Sequence, residues 1–319
     1  MAATEAFLRE EVEFELDTLV RAAKGLDKLK AVQEGVNAVN RNDATRDKFG
    51  VLAREMFKRY KGLLHNQAIY AFKPRRDAIN AIYGAIQEST YAADISAVMS
   101  RIQQIVDESI DSLDIALEPT EDYGTKVDIS SLDFERIEQE FLKPNNKNTT
   151  VQSVKTAVEQ KLNRMLDQNP LRINYYEKYQ GIIEAYNRGK DALAVEETFS
   201  QLKHFYGELS EEEARAAREG LTEAEQTIFD HLHLGKQLKD KEKHEIKAIA
   251  RTLLEQLEAE HLKVTYWAEK TQTASAVRQQ INNILFERLP YPVYDEEDVQ
   301  IKTDLLFQYF RKSYGGMVA

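Results

Sequence analysis

Residues 169–187 read NPLRINYYEKYQGIIEAYN, and the fold class follows from how this stretch begins, repeats and ends. A residue before proline is pushed out of the α region, which is the backbone that an N-cap needs, so Asn169 is placed to cap a helix. Pro170 then takes the first helical position, where its missing N–H costs nothing. Leu171, Tyr175, Tyr179, Ile182, Ile183 and Tyr186 follow at spacings of three and four, giving one apolar, tyrosine-rich face. Asn187-Arg188-Gly189 supplies the stop. The stretch predicts a core helix around which the chain after it packs.

The same pattern extends in both directions from this helix. Upstream, Val151, Val154, Val158, Leu162 and Leu166 make one helical face; downstream, Leu193, Phe199, Leu202 and Phe205 make another over 190–206. Ser210 to Glu213 and Thr222 to Glu225 match capping-box spacing and predict two helix starts. Ile246, Ile249, Ala250, Leu253, Leu254 and Leu257 form a strong stripe. Val277, Ile281, Ile284 and Leu285 form another, stopped by Leu289-Pro290-Tyr291-Pro292. Asp295 is placed to cap a last helix carrying Val299, Ile301, Leu305, Leu306 and Tyr309.

The first half also reads as helix. Residues 4–40 predict a long helix with an acidic start and a seam of Val12, Leu16, Leu19, Ala23 and Leu26, weakened by Gly25 and Gly35. That seam fits either a coiled-coil arm or a packed bundle helix, and the bundle is the better fit. Residues 43–64 are amphipathic: Phe49, Leu52, Ala53, Met56, Phe57, Tyr60 and Leu63 share one arc, with Arg54, Lys58 and Lys61 opposite. After Lys73-Pro74, Arg75 and Arg76 open another helix with Ile79, Ile82, Tyr83 and Ile86 inward, and residues 94–117 predict a further one. The stretch 118–131, rich in turn formers, is the expected linker between a helical domain at 1–117 and a second at 132–319. KPNNKNTT at 143–150 reads as a loop. No alternating strand pattern and no fixed-length repeat occurs, so the expectation is an all-α chain of two irregular helical bundles, not a solenoid.

Composition narrows the chemistry. The 319 residues are 42% hydrophobic and 30% charged, with 13 Gly, 6 Pro and no Cys. Disulfides, thiol nucleophiles and zinc–thiolate sites are excluded. No apolar run approaches the ~20 residues of a membrane span and no signal-peptide pattern opens the chain, so a soluble, cytoplasmic protein is expected. The net charge is −11, but residues 41–80 hold ten Lys/Arg against four Asp/Glu, while 88–140 hold fourteen acids against three bases. Charge is therefore segregated along the chain.

Catalytic motifs are missing. Gly189-Lys190 and Gly235-Lys236 lack the flanking glycine and Ser/Thr of a phosphate loop. The acidic run Asp295-Glu296-Glu297-Asp298 follows two prolines and reads as a helix cap. Glu159-Gln160-Lys161, an acid-x-lysine spacing with Asp133 upstream, falls in a helical stripe and not on the strand that metal-dependent nucleases use. His231 and His233, two apart on a helix, point in different directions. No catalytic, cofactor-binding or metal-binding residue is expected. The basic segment at 41–80 is the one candidate for nucleic acid: Arg54, Lys58, Lys61, Arg75 and Arg76, with Tyr60, Tyr70 and Phe72 nearby, could neutralise phosphates. On composition alone, an ordinary solvated face is the better explanation.

The succession of local patterns adds a family. Leu132-Asp133-Phe134, Asn169-Pro170-x-Arg172 with its tyrosine helix, Tyr186-Asn187, Glu208-Leu209-Ser210, Arg218-x-Gly220-Leu221-Thr222 leading to Phe229-Asp230, and Trp267 followed by Leu289-Pro290 resemble the C-terminal region of type I restriction enzyme R subunits, the ATP-driven DNA translocase and endonuclease component. In the first half, Arg46-Asp47-x-Phe49 and Ile82-Tyr83-x-Ala85-Ile86 are similar to the helical region that follows that family's motor lobes. The resemblance covers nearly the whole chain, but the nuclease domain and motor lobes that the family carries have no counterpart here. It therefore implies a C-terminal part without catalytic residues, with ATP and Mg expected only for the full-length parent subunit. The partners that it implies are the methyltransferase and specificity subunits and double-stranded DNA, with no membrane. An autonomous helical DNA-binding or protein-interaction module is the alternative. With a motor's DNA path nearby, the phosphate-contact and solvated-face readings of the basic residues stand level. Asn169, Pro170, Arg172, Tyr179, Tyr186 and Asn187 are assigned to structure, Arg172 having the further option of anchoring an interdomain contact.

Overall fold

The computed structural model of the chain describes residues 1–22, 26–64, 66–91, 134–189 and 192–315. Among these, fourteen α-helices and three short 3₁₀ turns are present and no strand, so the chain is all-α. The helices are α1 (Ala2–Glu10), α2 (Leu16–Arg21), α3 (Leu26–Val39), α4 (Asp43–Gly62), α5 (Lys73–Tyr91), α6 (Phe134–Phe141), α7 (Lys147–Gln168), α8 (Ile173–Arg188), α9 (Ala192–Glu213), α10 (Arg215–Arg218), α11 (Glu223–His233), α12 (Asp240–Glu260), α13 (Thr271–Arg288) and α14 (Glu296–Tyr314). The expected helix at 94–117, the linker at 118–131 and Asp133 lie outside the described residues. Two compact units are present: residues 1–161 with 178–207, and residues 162–177 with 208–319.

In the first unit, α1 to α5 pack around one core that includes Phe7, Leu8, Leu19, Phe49, Ile79 and Ile82. The predicted long helix over 4–40 is three helices, and its first break comes earlier than the glycines suggested. Glu13 adopts a left-handed φ of 59°, and the Phe14 N–H turns back to the Leu8 carbonyl at 2.7 Å. The break lets Phe14 and Leu16 enter the core together with Val12 and Leu19, so the seam belongs to a packed bundle and not to an extended arm. Gly35 sits where α3 meets α5: a Cβ there would lie 2.8 Å from Ile82 Cδ1 and 3.1 Å from Phe14 Cζ, so the buried Ile82 side chain would have to shift.

The expected loop at 143–150 is largely ordered structure. A 3₁₀ turn occupies Pro144–Asn146 and α7 begins at Lys147. Polar residues of this stretch pair with α3 and with Asn40 just beyond it: Asn37 Oδ1 accepts the Asn148 N–H at 2.9 Å, and the Asn40 amide donates to the buried Thr149 Oγ1 at 3.3 Å. Polarity here reflects internal hydrogen bonding, which a loop-forming composition imitates.

The second unit is built on α11 to α14, with Trp267, Leu253, Ile281, Leu285 and Phe310 at its centre. Gly220, at φ +68°, ends α10, and Leu221 N–H returns to Ala216 O at 2.8 Å, satisfying carbonyls that the helix leaves open. Thr222 then caps α11 in a reciprocal box with Glu225. Asp295 does the same for α14 with Asp298. The start predicted at Ser210 is absent, because α9 runs without interruption to Glu213. On α14, Val299, Leu306 and Tyr309 are buried as the spacing indicated, whereas Ile301 and Leu305 face outward, as does Leu193 on α9.

Candidate functional site

The stretch 169–187 divides between the two units, and each portion organises a polar network inside its own unit. In the second unit Asn169 is extended, with φ −138° and ψ 97°, as the following proline requires. Its side-chain carbonyl accepts the Leu171 N–H at 3.1 Å, and its amide nitrogen donates to Asp230 Oδ2 at 2.7 Å. One side chain thus caps the turn at Pro170–Arg172 and ties it to α11. Arg172 is only 3% exposed. Its Nε donates to Glu212 and its Nη1 to Glu223, each at 3.0 Å. Arg215 donates to Asp230 and lies 3.5 Å from Glu212, and Gln226 donates to the other Asp230 oxygen at 3.0 Å.

Two guanidinium groups and three carboxylates therefore share one largely buried cluster. Burial alone would lower the Arg215 pKa, but Asp230 and Glu212 outweigh it and hold the group above its ordinary value. A buried charge is tolerated only when it is paired, so each arginine here fixes the carboxylates around it. Every acid of the cluster is engaged by a cation or an amide, an arrangement that clamps 170–172, α9 and α11 together. It presents no activated nucleophile or free general base. Among the described residues, no group of three or more His, Asp or Glu is placed to hold a metal ion.

In the first unit the centre is Tyr186, which is 1% exposed. Its hydroxyl donates to Asn40 O at 2.9 Å and accepts from Gln152 Nε2 at 3.1 Å. Gln152 also reaches Asp43 Oδ1 at 3.1 Å, and Lys155 pairs with the same oxygen at 3.1 Å. Asn187 brackets Asp43 from both sides: its Oδ1 accepts the Asp43 N–H at 3.1 Å and its amide donates to Oδ2 at 3.2 Å. Burial works to raise the Asp43 pKa, but Lys155 and the hydrogen bonds from Gln152 and Asn187 bring it below the ordinary carboxylate value. Burial pushes the Tyr186 hydroxyl up, so it stays protonated and donating. Tyr179 donates to Glu159 at 2.5 Å. Of the motif residues, Asn169, Arg172, Tyr179, Tyr186 and Asn187 all make structural hydrogen bonds or ion pairs, and both ion-pair partners of Arg172 lie within the second unit.

The five basic candidates fall into two groups. Arg54, Lys58 and Lys61 lie on one outward stripe of α4, are exposed, and make no ion pair among the described residues. Arg75 is instead tied to Glu5 at 3.0 Å and to Asp17 at 2.7 Å, joining α5 to α1 and α2. Arg76 pairs with Asp77 and lies over the Tyr60 ring at 5.3 Å. Tyr60 is buried beneath it, while Tyr70 and Phe72 are exposed.

Sequence reading missed Glu212 and Arg215, which sit in the charged run EEEAR and look solvated there, and also Lys302. Lys302 is 4% exposed and donates to His231 O at 2.8 Å and Leu234 O at 2.6 Å, capping the carbonyl end of α11 with a cation. Its only sequence signal is a lysine among apolar stripe positions of α14.

Comparison with protein families matches residues 6–309 to the model described as type I restriction enzyme HindI endonuclease subunit-like, C-terminal. Comparisons with curated proteins and with solved structures give no match. The family match spans almost the entire chain, including both networks and the basic stripe of α4. The chain belongs to the family of C-terminal regions of HindI-like type I restriction enzyme endonuclease subunits.

Proposed function

We propose that this chain is a non-catalytic assembly region of a type I restriction enzyme R subunit, bracing the motor and docking on the methyltransferase–specificity core in the cytoplasm. The observation that supports it best is the internal use of the residues through which the chain resembles that family: Asn169, Arg172, Tyr186 and Asn187 are engaged by hydrogen bonds within the fold, which leaves the surfaces for recognition. ATP and Mg belong, on this reading, to the motor and nuclease parts of the subunit. Light scattering of the purified chain mixed with methyltransferase–specificity complex tests the docking. A larger species at micromolar concentration is expected, and unchanged separate masses would count against it.

A second reading, contact with double-stranded DNA, is favoured by the stripe of Arg54, Lys58 and Lys61, three exposed cations with no acidic partner among the described residues. Its expected signature is duplex binding that weakens steeply with salt, by about one unit of slope for each phosphate contact. Charge reversal of the three residues abolishes that binding. Arg75 and Arg76, engaged within the unit, contribute to it less.

A further inference from the structure

We infer that the tip of the α13–α14 hairpin is the anchor of a protein-docking surface, and that it seats in an apolar pocket with a lysine- and arginine-rich rim on the partner. The inference rests on the docking reading above and assigns that pocket to the methyltransferase–specificity core. Tyr291 is 85% exposed and Phe286 63%, the two most exposed aromatic side chains among the described residues. They are five residues apart, so even a fully extended chain keeps them within about 18 Å, inside the footprint of one interface. Arg278 bonding Asp304 and Asn282 bonding Thr303 set the register of the antiparallel helices. One turn beyond Asn282, Phe286 therefore runs alongside the first turns of α14, whose outward residues include Ile301.

The mount is rigid. Proline rings at 290 and 292 fix φ on either side of Tyr291. The Tyr294 N–H returns to Pro290 O at 3.1 Å, and the buried Tyr294 hydroxyl donates to Leu232 O at 2.9 Å. A large aromatic held on a preorganised support loses little entropy on binding, which is how interface hot spots work. Leaving two large aromatic rings of one tip in water is unfavourable, so their exposure points to a partner.

Charge selects the class of partner. Within residues 286–297, Glu287, Asp295, Glu296 and Glu297 are exposed against the one cation Arg288, and the half-buried Lys236 beside Tyr294 is already paired with Asp298. Phosphates of nucleic acid and of anionic lipid are repelled by such a rim. A protein pocket lined with apolar groups and edged by cations complements both the rings and the acids.

The test uses the full chain and the methyltransferase–specificity complex, with affinity measured by titration calorimetry and fold checked by thermal melting. A Phe286→Ala/Tyr291→Ala double variant is expected to melt as the parent chain does and to bind at least about 30-fold more weakly, as loss of a hot spot does. Ile301→Ser is expected to weaken binding less. Charge reversal of Arg54, Lys58 and Lys61 is expected to leave this affinity within about threefold. Parental affinity in the double variant would overturn the anchor and leave docking intact. Absence of binding by the parent chain would overturn docking and the anchor together. Self-association of the parent chain that the double variant abolishes would reassign the tip to a second copy and also overturn the inference.

Discussion

The two networks fed by residues 169–187 differ in kind. In the second unit the centre is ionic: Arg172 and Arg215 lie among Glu212, Glu223 and Asp230, with Arg172 buried and Arg215 and Glu223 partly open to solvent. In the first unit the centre is a neutral tyrosine hydroxyl and two amides arranged around one carboxylate, Asp43, which keeps Lys155 as its cation. The turn at Pro170–Arg172 and the end of α8 thus matter to their own units for different physical reasons. An ionic cluster resists loss of one member strongly, because what remains is an uncompensated buried charge. A hydroxyl–amide network tolerates loss more gently, because removing one neutral member leaves Asp43 still paired with Lys155 and strands no charge.

That contrast predicts an order of effects. The largest belongs to Arg172→Ala, which takes the cation from Glu223 and leaves Glu212 only the longer Arg215 contact at 3.5 Å; unfolding in denaturant is expected to show a loss of about 3–5 kcal/mol. A loss below about 1 kcal/mol would erase the distinction between the networks. Tyr186→Phe keeps the ring and removes only the hydroxyl, leaving Asn40 O without that donor and Gln152 with one acceptor fewer. Its expected cost is about 1–2 kcal/mol by the same measurement.

Acid sharpens the comparison further. Burial lowers the His231 pKa below 6.5, with Lys302 adding to it and Thr227 O and Asp230 opposing. In the unfolded chain this imidazole takes up a proton at a pH where the folded one does not. Its contribution to stability is therefore complete above about pH 6.5 and declines as pH falls toward the folded value. Asp43, also depressed, keeps its contribution until pH falls below about 3.9 and loses it through the folded value. Stability measured against pH is expected to begin falling near pH 6.5, and His231→Gln should flatten that first decline while leaving the later one. The smallest effect belongs to the surface: reversing Arg54, Lys58 and Lys61 should change stability by no more than about 0.5 kcal/mol per site, whereas Arg75→Glu faces Glu5 and Asp17 and costs more.

Much of the fold was legible because it rests on local signals. Asn169-Pro170, Thr222 with Glu225, and Asp295 with Asp298 each contain a cap and its partner within a few residues, and all three begin helical structure as read. Ser210 shows the limit: the same spacing is silent when α9 already runs through it, because an established helix needs no new start. The break at Glu13 was invisible because tertiary packing of Phe14 and Leu16 overrides local propensity. The networks were half visible. Asn169, Arg172 and Asp230 stood in recognisable motifs, but no sequence rule brings Glu212 to Arg172 across forty residues. In the same way the five basic residues looked alike until Arg75 met Glu5, which is seventy positions away.

Arg172, Glu212 and the groups around them are expected to act as one coupled scaffold, which a double-mutant cycle distinguishes from independent contacts. Arg172→Met, Glu212→Gln and the double variant are unfolded in denaturant alongside the parent chain. A coupling energy of about 1–3 kcal/mol is expected, with the double variant more stable than the two single losses would sum to. Additive losses, within about 0.5 kcal/mol, would contradict it.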